Sequence, residues 1–233
     1  MAAGRSSALQ DLLDKMRADN RKQVVHCAVC ISRISPHLVD KRDIGQHYER
    51  IFKTCQAKYQ GEGPTGLLLV YPQHCLHLIE APWEVLIDVI QDLHSNHELL
   101  SSSRVVSFSP HIQQRLYPQW AVRVLSLPAL AKGEQYTTQD TLEITVAGSL
   151  EKLYKLGVHL SKLTQHQLKA TMDSLTSKVP QFLLQQDILE YYLVCSDLNS
   201  PAEFLTRYNT PTHILLDREL VWPLPVKLFP YDD

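Results

Sequence analysis

Apolar residues cluster in two short runs, 67–71 (LLLVY) and 75–79 (CLHLI), separated by Pro72-Gln73-His74. Proline fixes φ and carries no N–H, so an extended run must break at Pro72. Neither run alternates apolar with polar, as a strand with one wet face would. The pattern therefore predicts a β-hairpin buried on both faces. Gly61-Glu62-Gly63-Pro64 stops the chain before the hairpin, and Pro82 opens a helical pattern after it. Such a hairpin needs other elements to cover both of its sides.

The rest of the chain supplies candidates. Ser7, with Gln10 three positions on, has capping-box spacing, and Leu9, Leu12, Leu13 and Met16 predict a short amphipathic helix. Residues 24–31 (VVHCAVCI) are β-branched and apolar enough for a strand. Ile44, Tyr48, Ile51 and Cys55 recur at helical spacing, predicting a helix over 40–59. A second helix is predicted over 82–94, with Pro82 in its first turn and a stripe of Leu86, Val89, Ile90 and Leu93. Residues 104–109 and 121–127 read as two further strands bounded by prolines. The order β-α-β-β-α-β-β is the ferredoxin-like pattern with one added strand, an α+β fold with a mixed sheet. Its two helices cover one face of the sheet, so a C-terminal helical extension is expected on the other. That extension reads as a long helix capped by Asp140 and lined by Leu142, Val146, Leu150, Leu153, Gly157 and Leu160. A helix carrying Leu168, Met172, Leu175 and Val179 up to Pro180 follows, then one over 185–195. Ser200-Pro201-Ala202-Glu203 predicts a fourth, with an N-cap, proline at N1 and an acid at N3. Apolar runs at 213–216 and 220–222 predict a terminal hairpin before a proline-rich tail. The expected division is a helix over 1–22, the ferredoxin-like domain over 23–130 and the extension over 131–233.

Bulk properties bound the function. The 233 residues are 44% hydrophobic, enough for a sizeable core. A net charge of −2 argues against a general nucleic-acid binder. No apolar run approaches the roughly 20 residues needed to span a bilayer, and charge within residues 1–22 argues against a signal peptide. Five cysteines without framework spacing predict buried free thiols in a reducing, cytoplasmic compartment. Cys27-x-x-Cys30 invites a metal or redox reading, yet residues three apart in a strand point to opposite faces, so no metal site is expected. There is no Walker loop, GxGxxG, GxSxG or HExxH, so an enzyme is not expected.

Two segments carry a resemblance. Thr65-Gly66-Leu67-Leu68-Leu69, followed at a matching distance by Ile79-Glu80-Ala81, and Arg115-x-Tyr117-x-x-Trp120 downstream, resemble the motifs of BLUF domains, the flavin-binding blue-light sensors. The element order agrees, so the resemblance implies a BLUF-like fold over about residues 24–127. It also implies where a flavin pocket would lie: Cys30 in place of the photoactive tyrosine, His77 in place of the switching glutamine, Tyr59 near the flavin-binding asparagine, Trp120 retained and Val122 in place of a methionine. A thiol and an imidazole cannot reproduce a phenol and a rearranging amide, so no bound cofactor is expected. Flavin is the alternative, in a small-ligand sensor with altered chemistry. Cys30 and His77 could also form a thiol–imidazole pair, although a buried histidine filling the groove is expected instead. Residues 65–72, 115–120 and the ends Ile214-Leu215-Leu216-Asp217 and Val221-Trp222-Pro223 are similar to a family of testis-expressed animal proteins with a degenerate BLUF-like domain. That resemblance implies a scaffold in a ciliary or sperm-flagellar axoneme, with protein partners and no nucleic acid or membrane.

Overall fold

The computed structural model describes residues 7–18, 23–59, 62–95, 98–125 and 141–211. Five strands, β1 (His26–Ile34), β2 (Thr65–Val70), β3 (His74–Ala81), β4 (Leu100–Ser109) and β5 (Trp120–Val124), form one sheet in the order β4-β1-β3-β2-β5. β1 pairs antiparallel with β3 and β4, β3 pairs antiparallel with β2, and β5 runs parallel to β2. With α2 (Arg42–Tyr59) and α3 (Trp83–Ser95) as the connections, this is the ferredoxin-like order plus one strand. The fold is α+β, as the residue pattern implied.

The hairpin sits at the centre and every residue of β3 is buried. Strand parity divides its side chains between two cores. Cys30, Leu68, Val70, Cys75 and Ile79 pack with Ile44, Tyr48, Leu86 and Ile90 of α2 and α3. Val29, Ile31, Leu67, Leu69, Leu76 and Leu78 pack instead against the extension. The extension comprises α4 (Leu142–Ser161), α5 (Gln165–Met172), α6 (Leu175–Lys178), α7 (Gln186–Val194) and α8 (Pro201–Tyr208). Cys27 lies against the extension core and Cys30 in the other, so their thiols are separated by the sheet.

Several expectations need correction. Met172 and Val179 do not share one helix, because Ser174 (φ −133°, ψ 39°) leaves helical geometry between α5 and α6. Its hydroxyl donates to the Ala170 carbonyl at 2.7 Å, a local bond that competes with the helical ladder. The N-cap of α4 is Thr141 and makes no side-chain cap bond. Asp140 and the terminal hairpin lie outside the described residues. α8 does not cover the extension face; Phe204 is buried in the α2–α3 core, its ring 5.4 Å from Phe108. The Ser200–Glu203 capping box is present in both directions. At the start of the chain, Ser7 caps α1 (Ala8–Ala18) by accepting from Gln10 N at 3.1 Å. The Gln10 side chain bonds forward to Asp14, leaving the box one-sided.

Glu80, near the end of β3, anchors the β4–β5 loop. Its carboxylate, 2% exposed, accepts from Leu116 N at 2.7 Å, Tyr117 N at 3.2 Å and Thr65 Oγ1 at 2.6 Å. Arg115 Nη1 donates to the Glu80 carbonyl at 2.8 Å, and Tyr117 Oη donates to Leu153 O at 2.9 Å. These bonds fix the loop that delivers Trp120 to the edge of the sheet.

Candidate functional site beneath α2

β1, β3 and β5 bring Cys30, His77, Trp120 and Val122 to the sheet face covered by α2. Cys30 and His77 are paired across β1 and β3, and both are buried. Trp120 Nε1 donates to His77 Nε2 at 3.1 Å, which leaves the imidazole proton on Nδ1. α2 supplies two residues one turn apart that close the layer. The Tyr48 ring lies 4.5 Å from that of His77, and the Phe52 ring meets Trp120 edge-on at 5.0 Å. Helix and strand come close because position 45 is glycine: a Cβ there would stand 3.0 Å from a Val122 methyl. Tyr59 does not join the group. At the end of α2 its hydroxyl donates to Asp88 of α3 at 2.9 Å.

The pattern of residues 40–59 placed Tyr48 on the buried face. It did not single out Phe52, whose i, i+4 spacing from Tyr48 was the available signal. Asp88 and Asp92 were also missed. Asp92 accepts from His47 at 2.9 Å, and Asp88 receives Lys58 as well as Tyr59. These bonds join α2 to α3 above a groove of about 400 Å³.

Burial sets the electrostatics. It pushes the Cys30 thiol up to about 12, with Cys75 adding to the rise, and lowers His77 to about 3. Cys75 is likewise raised to about 12. A thiolate–imidazolium nucleophile needs the opposite shifts, a lowered thiol and a histidine able to hold the proton. Two of the flavin positions implied by the resemblance, His77 and Trp120, are also packed against each other. A ring entering at His77 would have to displace Tyr48 and Phe52 and break the Trp120 bond.

Comparison with known proteins decides the family. The family model for testis-expressed protein 47 matches residues 24–210. The chain belongs to the testis-expressed protein 47 family. Solved structures resembling this family member include BlrB, a BLUF protein in its dark state, at 17% identity over 64% of this chain and 91% of that one, with a TM-score of 0.35. BlrP1 BLUF matches at 14% identity over 65% and 91%, with a TM-score of 0.38. A bacterial light-regulated adenylyl cyclase matches at 17% identity over 64% of this chain but 39% of its own length, with a TM-score of 0.36. The ferredoxin-like assignment rests on strand order and pairing, and these scores add nothing about function. Among the described residues, no helix is long and apolar enough to cross a membrane.

Proposed function

We propose that this chain is a non-enzymatic scaffold with a BLUF-like domain that has lost its flavin chemistry, held by protein partners in a ciliary or sperm-flagellar axonemal assembly. The observation that carries the reading is the Trp120–His77 bond within a layer closed by Tyr48 and Phe52. Light sensing of the BLUF type would need a phenol and an amide where Cys30 and His77 stand. The same positions are ill suited to covalent chemistry, since burial drives the thiol and imidazole away from their reactive forms. Membership of a testis-expressed family supports the flagellar setting by association. Detergent extraction of sperm or ciliated cells tests the assignment. The protein is expected to stay with the demembranated axoneme and to leave it with its partners at high salt. Recovery wholly in the soluble fraction, free of other proteins, would overturn it.

A further inference from the structure

A cavity of about 680 Å³ opens where the ends of β1 and β3 meet α7. Arg33 and His74 stand directly opposite each other across β1 and β3 and reach the same carboxylate, Glu190 of α7. Arg33 donates to Oε1, and His74 Nε2 bonds Oε2 at 2.8 Å. Lys41 lines the cavity from the β1–α2 connection. Arg33 and His74 therefore converge on one acid, with Lys41 in the same cavity wall. Asp187, in the first turn of α7, also faces this space and limits the negative charge it would accept.

Two features set this cluster apart from a self-contained ion pair. The Arg33 and Glu190 side chains are each 44% exposed, so solutes reach the pair, and the cavity has the size of small-molecule sites. His74 is buried, and its Nδ1 has no hydrogen-bond partner, an arrangement that costs free energy unless a ligand or water meets it. His74 and Arg33 hold the Glu190 carboxyl below its ordinary range, so it is ionised at neutral pH.

We propose that this cavity is a docking site for a carboxylate-bearing ligand, and that Glu190 is a built-in competitor held on Arg33 and His74 until an outside carboxylate replaces it. Asp187 favours a single carboxylate over a multiply charged group such as phosphate. The carboxylate comes either from an acidic side chain of a partner polypeptide or from a free monocarboxylate. Exchange would free the Glu190 side chain from the ends of β1 and β3, while Ile188, Leu189 and Tyr192 keep α7 in the extension core. The site stands independently of the scaffold assignment.

The test follows the His74 ring resonances of the full chain by NMR, during titration with propionate and separately with a blocked Gly-Glu-Gly peptide. Saturable shifts are expected with at least one probe, and which probe acts identifies the source. Glu190→Gln removes the competitor and should tighten binding about tenfold; Arg33→Gln should abolish it. The proposal is overturned if neither probe moves His74 in the native chain, or if Arg33→Gln leaves the titration unchanged. Those two results decide the matter even if Glu190→Gln does not fold.

Discussion

Trp120 donates its indole N–H to Nε2 of His77 across 3.1 Å, so the buried imidazole must accept and stay neutral. Protonation would set N–H against N–H inside a layer that excludes water. This one relationship links the retained tryptophan of the BLUF-like motif to the residue standing at its glutamine position. It also makes the site's state readable through stability.

Acid should destabilise the fold partly through His77. Its folded value of about 3 lies below the ordinary histidine value of 6.5, so between the two the unfolded chain binds a proton that the folded chain does not. The contribution is fully present above about pH 6.5 and is lost as pH falls toward about 3, by at most about 1.4 kcal/mol per pH unit. Urea denaturation at several pH values should show His77→Leu losing this share of the slope. Depressed carboxyls such as Glu190 act in the same direction and remain in the variant. A variant as acid-sensitive as the native chain would contradict the account.

Replacing Glu80 tests the loop anchor. Glu80→Ala orphans two backbone N–H groups, and by the cost of buried unpaired donors should destabilise by about 3 kcal/mol or more. Glu80→Gln keeps an acceptor and should cost less. Hydrogen exchange at Leu116 and Tyr117 should accelerate in both, and more in the alanine variant. Unchanged exchange there would show that the loop is held by other contacts.

Two glycines should respond with opposite signs. Gly66 has φ +136°, and a Cβ there would lie 2.1 Å from the Leu78 carbonyl oxygen. Gly66→Ala should therefore cost about 2 kcal/mol or more. Gly148, within α4, has open space around a Cβ, and Gly148→Ala should stabilise by about 0.5–1 kcal/mol. Thermal melts of the pair give the comparison directly.

What could be read in the sequence follows from range. The hairpin over 63–81 was legible because burial on both faces removes polar alternation, a local signal. Strand parity likewise separates Cys27 from Cys30 on the sequence alone. The helix break at Ser174 was not legible, since Leu168, Met172, Leu175 and Val179 keep helical spacing across it. Nor was the anchoring role of Glu80, which depends on backbone N–H groups 36 and 37 residues away. The Arg33–Glu190 pair spans 157 residues and leaves no periodic trace. Of the flavin positions, four came together as the resemblance implied, whereas Tyr59 turned to Asp88 because α3 presents a carboxylate there.

Under the proposed scaffold function, the side chains that close the layer beneath α2 leave no place for a flavin. The most direct measurement is the visible absorption spectrum of purified protein after incubation with excess flavin mononucleotide and removal of the unbound dye. A colourless protein with unchanged tryptophan fluorescence is expected. A retained flavin band that disappears in a Tyr48→Ala, Trp120→Ala double variant, shown to be folded by circular dichroism, would contradict the account.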